Sequence, residues 1–332
     1  MVRWDCFVSV VAPLFNDEDI VESFVDDVIG VIRAEYANYE LILVDDGSTD
    51  RTVERVGVKL SQHECMRLIR LSRHFGKEQA IAAGLDSAIG DFVVVMSPDS
   101  DPPELIPEMV ARCRKSGCGV VSAVRDDRKD QPLHLRWGAK LLWWYLNRVA
   151  ELNVPSNCSD FHAFSRQSVN AVTRIRDRFR YLRTFSAWVG YGRDVVPYRP
   201  ISRRGKPRHK SLREAVNLAI NLVVASTTYP LRFVAVASGF VGLAVLVALI
   251  VTVARGWTSG EEGGAAKMLD LVQGLATVVI LWVLALVSEY VARLLVQSQD
   301  RPLYLVLEER NSSVMIADEA RKNVVKELGE EK

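Results

Sequence analysis

Residues 93–105 read VVVMSPDSDPPEL. An apolar run ends in serine, two aspartates and a proline pair, which places Asp99 and Asp101 on a loop at the end of a strand. Two carboxylates one residue apart at such a point can ligate a divalent cation, and they can equally end the strand and cap the next helix. A second acidic loop, VDDGSTD at residues 44–50, also follows an apolar run. There Asp45 and Asp46 stand where a strand stops, Gly47 permits a turn, and Ser48 or Thr49 can cap a helix. A carboxylate at this point of an open α/β sheet can accept hydrogen bonds from a ribose or a base N–H, turn and capping roles being the other reading. A third loop, LSRHFGKEQA at residues 71–80, carries Arg73 and Lys77. Their charges could hold a diphosphate or simply open a solvated helix.

These loops need a frame that brings them to one rim. Strand patterns at 8–12, 41–44, 68–71, 92–96 and 120–124 alternate with helical patterns at 20–34, 52–60, 79–88 and 104–114. Such alternation predicts a parallel, doubly wound sheet with its ligands at the carboxyl ends of the strands. No G-x-G-x-x-G follows the first strand and no G-x-x-x-x-G-K-[ST] occurs, which disfavours dinucleotide-dependent redox chemistry and P-loop hydrolysis. Residues 126–200 are less regular, with one helix predicted over 135–150. A further strand is expected at 303–307.

Over 332 residues, 42 Lys and Arg balance 41 Asp and Glu, so no global basic field points to nucleic acid. Cys6, Cys65, Cys113, Cys118 and Cys158 show neither a pairing framework nor zinc spacing, and reduced thiols are expected. His74, His162 and His209 lack partners at metal or triad spacing, and Trp137, Trp143 and Trp144 are expected to pack or to lie at a membrane interface. The N-terminal MVRWDC enters a strand-like run without an apolar signal segment.

Hydrophobicity gathers late. Residues 233–253 and 271–288 carry no charge, and each run is long enough to cross a bilayer core of about 30 Å as a helix. Arg203, Arg204, Lys206, Arg208, Lys210, Arg213 and Arg232 precede the first run, Arg293 and Arg301 follow the second, and only Arg255 and Lys267 lie between. The positive-inside rule then puts both chain ends in the cytoplasm. Leu212, Ala215, Val216, Ala219 and Leu222 share one face of a helix that would lie in the interface.

In order, VVAPLFNDEDIV, LILVDDGSTDRT, LSRHFGKEQAIAAGLDSAIGDF and SPDSDPPELIPEM resemble the loops of family 2 glycosyltransferases of GT-A fold. The likeness continues through NCSDFHAFSRQSV, RRGKPRHKS, both apolar runs and SEYVARLLVQSQDRPLY, to about residue 306. These later stretches are similar to polyprenyl-phosphate glycosyltransferases, among them dolichyl-phosphate mannose synthases and bacterial undecaprenyl-phosphate glucosyltransferases. The resemblance implies an α/β, Rossmann-like catalytic domain with a mostly parallel sheet over 1–210. It implies a juxtamembrane amphipathic helix over 211–230, two transmembrane helices over 231–298 and a cytoplasmic tail over 299–332.

The same resemblance implies residue roles. Pro13, Asn16 and Asp17 would form the first nucleotide-contacting loop, where the family usually has glutamate at the position of Asp17. Asp45 would meet the base, Lys77 would lie near the nucleotide, and Asp160 beside the acceptor phosphate and the sugar. Arg204 and Lys210 fall at basic positions used near the acceptor phosphate. Where the family commonly reads D-A-D-L-Q-D-P-P-E, this chain reads S-P-D-S-D-P-P-E, one residue shorter and with Ser97 in place of the first Asp. Asp99 is then the metal ligand with Ser100 or Asp101 assisting, or Asp99 and Asp101 are themselves the pair, and the metal is Mg²⁺ or Mn²⁺.

The activity implied is inverting transfer of one sugar from a nucleotide-sugar, a UDP-hexose being favoured, to polyprenyl phosphate at the bilayer, by a homo-oligomer such as a tetramer. The shortened loop motivates a second reading, a non-catalytic homologue that scaffolds a glycosylation complex. A processive polysaccharide synthase is a third reading. Gln131 stands five residues before Arg136–Trp137, not the three of the Q-x-x-R-W motif, and there are too few spans for a polymer channel.

Overall fold

The computed structural model describes residues 3–115, 117–126, 133–148, 157–174, 191–205, 262–299 and 302–314, with residue 182 and separate residues between 219 and 251. The chain divides into two compact units, residues 1–215 with 302–332, and residues 216–301.

The first unit is built on an eight-stranded sheet. Its strands are β1 (Trp4–Leu14), β2 (Tyr36–Asp45), β3 (Met66–Leu71), β4 (Phe92–Val95), β5 (Val120–Arg125), β6 (Cys158–Ser165), β7 (Arg193–Tyr198) and β8 (Val306–Asn311). The spatial order is β7-β5-β6-β4-β1-β2-β3-β8. The helices are α1 (Val21–Glu35), α2 (Thr52–Gln62), α3 (Lys77–Ser87), α4 (Ile106–Lys115), α5 (Leu133–Arg148) and α6 (Arg166–Arg174).

β1 is central and pairs in parallel with β2 and β4, and β2 pairs in parallel with β3. Val8, Val10, Val11, Leu41, Ile42, Leu43, Val94 and Val95 are fully buried. Strands covered on both faces read as continuous apolar runs, and each such side chain contributes roughly 1.5–3 kcal/mol of burial. α1 buries Val21, Phe24, Val25, Val28, Ile29 and Ile32, the i, i+3, i+4 stripe of a helix packed on a sheet. α3 lies closer still: a Cβ on Gly84 would come within 2.2 Å of Val11, so only glycine lets this helix settle on β1.

The sheet is not wholly parallel. β6 runs antiparallel between β4 and β5, β7 pairs in parallel with β5, and β8 adds antiparallel to β3. β6 and β7 are absent from the sequence expectation because neither is an apolar run. CSDFHAFS buries Ser159 and His162, whose polar atoms bond Ala123 O at 2.9 Å and Ser122 Oγ at 3.0 Å. The C-terminal strand falls at 306–311 and not at 303–307. All five cysteines are free and buried, and burial pushes the Cys113 thiol up to about 12.

In the second unit, α7 (Glu262–Ser298) contains a 21-residue apolar stretch, Val272–Ala292, none of it buried. It is the one helix among the described residues long and apolar enough to cross a membrane. The described residues between 233 and 251 are helical, with Phe233, Phe240 and Leu243 exposed. The amphipathic pattern at 211–222 and Lys210 lie largely outside the described residues, Lys210 wholly so.

Candidate active site

The carboxyl ends of β1, β2, β3 and β4 deliver four loops to one rim. The loops after β1 and β2 are laced together: Asn16 N–H donates to Ser48 Oγ at 3.0 Å, Thr49 N–H to Asn16 Oδ1 at 2.9 Å, and Asp17 N–H to Thr52 Oγ1 at 2.8 Å. Asn16 adopts φ 53°, a left-handed conformation that asparagine tolerates. Pro13 is buried within β1 opposite Val44. The β2 and β3 loops meet through Asp46, whose carboxylate accepts from Phe75 N–H at 2.7 Å and Gly76 N–H at 2.9 Å and pairs with His74 Nδ1 at 2.9 Å. Gly47 sits at that contact with φ +72°, and a Cβ there would lie 2.6 Å from the backbone of Arg73 and His74.

Lys77 opens α3 and reaches across the rim. Its ammonium donates to Ser97 Oγ at 2.7 Å and to Asp160 Oδ2 at 2.8 Å. The strand register explains the meeting: Val95 of β4 faces His162 of antiparallel β6, so two residues further Ser97 stands across from Asp160. Burial of the ammonium works to lower the Lys77 pKa, but the Asp160 carboxylate outweighs it, and the net shift is upward. The lysine side chain is 43% exposed, while its ammonium is held between Ser97 and Asp160.

The two aspartates of the opening motif part company. Asp101 is 1% exposed and accepts from Ser97 N–H at 2.7 Å, Ser100 Oγ at 3.0 Å and Tyr198 Oη at 2.9 Å. Burial raises its pKa against those bonds and the Lys77 charge. With both oxygens held by protein donors, Asp101 braces the loop. Asp99 is half-buried, and its carboxylate accepts no hydrogen bond from any described residue.

Asp17 lies within electrostatic reach of Asp99. Its pKa is raised by burial, opposed by the Phe15 N–H and Arg204, with Asp99 adding to the rise. Arg204 donates to Asp17 Oδ1 and, at 2.8 Å, to Asn16 O. Among the described residues no three His, Cys, Asp or Glu gather as a ready metal cage. One or two carboxylates and an otherwise open shell suit Mg²⁺ or Mn²⁺, which take much of their coordination from substrate phosphates and water. The residues present therefore fit such an ion at Asp99.

Asp45 is fully buried, receives Ser48 N–H at 3.3 Å, and has Arg70 Nε at 3.8 Å; burial raises its pKa against both. It stands at the carboxyl end of β2, with its carboxylate turned towards its own turn. The residue missing from the sequence expectation is Arg203, which appeared there only as one of a basic cluster. Its place in the site depends on contacts with residues about a hundred positions away, for which a single sequence offers no signal.

The sheet thus gathers acidic loops and Lys77 at the carboxyl ends of its central strands. Residues 9–173 match the family Glycosyl transferase family 2, and the chain belongs to it. A glycosyltransferase of Synechocystis sp., sll0501, is 30% identical over 90% of this chain and 94% of its own. The bactoprenol glucosyl transferase of Shigella phage SfV is 27% identical over 91% of this chain and 99% of its own. Among solved structures, glucosyl-3-phosphoglycerate synthase from Mycobacterium tuberculosis, in complex with Mn²⁺, UDP and phosphoglyceric acid, shares the fold. It does so with a TM-score of 0.50 at 20% identity, over 66% of this chain and 76% of that one. The chain is a glycosyltransferase with a GT-A-like mixed sheet.

Proposed function

We propose that this glycosyltransferase moves one sugar, a hexose from UDP in the favoured case, onto polyprenyl phosphate at the cytoplasmic membrane face, with inversion at the anomeric carbon. The observation that carries this reading is the Lys77–Ser97–Asp160 junction close in sequence to Asp99, whose carboxylate accepts no hydrogen bond from any described residue. It unites a fixed cation, an oriented carboxylate and a carboxylate without a described partner at the carboxyl ends of the strands. The bactoprenol relatives support the lipid-phosphate acceptor.

The acceptor needs little base catalysis. A phosphate monoester has its second pKa near about 6, so at neutral pH its oxygen is already an anionic nucleophile. That oxygen attacks the anomeric carbon as the bond to the diphosphate oxygen breaks and its electron pair leaves with the nucleotide. Asp99 would hold Mg²⁺ or Mn²⁺, which when bound would supply electrostatic stabilisation of the leaving diphosphate. Lys77, held protonated, adds a second positive charge, and Asp160, fixed by Lys77, orients acceptor and sugar. Asn16 and Asp17 form the nucleotide-side loop with Pro13 behind them, Asp45 supports the base end, and Arg204 with Lys210 takes the acceptor phosphate.

The connectivity supports two membrane crossings. β8 returns to the same sheet that the chain left before residue 216, so a segment that crosses a bilayer must cross back. Val272–Ala292 is one crossing and the uncharged run at 233–253 is the other.

Membranes containing the full chain, incubated with polyprenyl phosphate and a panel of labelled nucleotide-sugars, are expected to form a lipid-linked sugar detected by mass spectrometry. EDTA is expected to abolish it, and Asp99→Ala to lower the rate at least about a hundredfold, the scale of losing a main electrostatic stabiliser. No product with any donor would overturn the proposal.

A further inference from the structure

We infer that Arg203 is a positioning residue that clamps the Asp99 loop and thereby sets the affinity of the metal site. The inference rests on the assignment of Asp99 as ligand proposed above. Arg203 N–H donates to Asp99 O at 3.2 Å, and its guanidinium donates to Pro98 O at 2.7 Å and to Asp101 O at 3.5 Å. The other end of the fork pairs with Asp27 of α1 at 2.9 Å, and the guanidinium carbon stands 5.4 Å from the centroid of the Phe24 ring. Ile201 N–H adds a bond to Ser100 O at 2.9 Å. Every carbonyl from Pro98 to Asp101 is thus tied to residues 201 and 203, and Arg203 is 10% exposed at that side chain.

This clamp answers a mechanical need. Among the described residues none donates a hydrogen bond to the Asp99 carboxylate, so within them its direction follows from the backbone that bears it. Asp101 fixes that backbone through Ser97 and Tyr198, and Arg203 ties it to α1. A guanidinium suits the task because its planar fork can serve two carbonyls and a carboxylate together, which an ammonium cannot match in geometry. Groups that orient a metal ligand without touching the metal commonly govern its affinity. Arg203 also stands immediately before Arg204, which engages Asp17, so one dipeptide holds both the metal loop and the nucleotide loop.

The test uses full-length protein in detergent, stripped of metal and titrated with Mn²⁺ alone and with UDP or GDP, free Mn²⁺ being read by electron paramagnetic resonance. The unaltered protein and Asp99→Ala set the two limits. Arg203→Ala is expected to weaken Mn²⁺ binding about tenfold, Arg203→Lys to fall between it and the unaltered protein, and Asp27→Asn to weaken binding about threefold. In turnover, the half-saturating Mn²⁺ concentration should rise by the same factors while kcat at saturating Mn²⁺ stays within about threefold, as for a residue that acts only through metal affinity. If Arg203→Ala fails to fold, Arg203→Lys and the exposed Asp27→Asn carry the comparison. Mn²⁺ binding unchanged in the Arg203 and Asp27 variants but lost in Asp99→Ala overturns the clamp and leaves the Asp99 assignment standing. Binding by Asp99→Ala equal to the unaltered protein, or no binding by either, overturns that assignment and the clamp with it.

Discussion

At the scale of single residues, the site stores carboxylates in an unfavourable state. Asp17, Asp45, Asp46 and Asp101 all have raised pKa values, burial being the largest cause for each. A carboxyl group with a raised folded pKa binds more protons folded than unfolded, so its stabilising contribution is full below the ordinary carboxyl value of about 3.9 and is lost as pH rises through the folded value. Metal-stripped protein is therefore expected to gain thermal stability as pH falls from neutral towards the ordinary carboxyl value of about 3.9, measured as Tm in detergent. The opposite trend sets in only at lower pH. There Asp26, pushed up by burial but drawn lower still by its Lys59 and His63 bonds, begins to lose those bonds. A Tm that falls steadily from pH 7 to 5 would contradict the raised values.

At the scale of elements, what shapes the site is the approach of loops, and a glycine permits the tightest one. Gly47 combines a left-handed backbone with contact against Arg73 and His74. Gly47→Ala is expected to cost about 1–2 kcal/mol for the backbone alone, with more from displacing the β3–α3 loop, whose Gly76 and Lys77 follow directly. Denaturant unfolding should report that loss, and the nucleotide KM should rise with it because the Asp46 bonds to Phe75 and Gly76 are strained together. A substitution that is neutral in both measurements would show that the two loops are not tightly coupled. The antiparallel insertion of β6 is the other decisive element. A parallel strand in the same slot would carry its residues towards the opposite rim, and Asp160 would not meet Lys77.

At the scale of the whole molecule, the return of β8 to the sheet makes topology testable. Residues 254–261 are expected on the opposite side of the membrane from both the catalytic unit and the C-terminal tail. The five native cysteines are buried, so an impermeant maleimide added to oriented vesicles should react mainly at an introduced thiol. Thr258→Cys is expected to label from the face opposite to the one that labels Lys326→Cys. Labelling of both from one face would leave the apolar helices on one side and remove the basis for two crossings.

Much of this architecture was legible from one chain. The central strands were, because burial on both faces leaves a run such as VVVM with no polar interruption. The loops that follow them were, because Asp45, Asp46, Lys77 and Asp99 stand where such runs end. β6 and β7 were not, since CSDFHAFS hides its serines and histidine by pairing them with β5, a long-range arrangement that no local pattern encodes. The division of labour between Asp99 and Asp101 was not either. Residue types and spacing determined which chemical groups reach the rim, and the resemblance their order carries implied the class of reaction. Tertiary structure decided which carboxylate turns inward to Tyr198, which stays open, and which arginine holds the loop, because those outcomes depend on partners up to about a hundred residues distant.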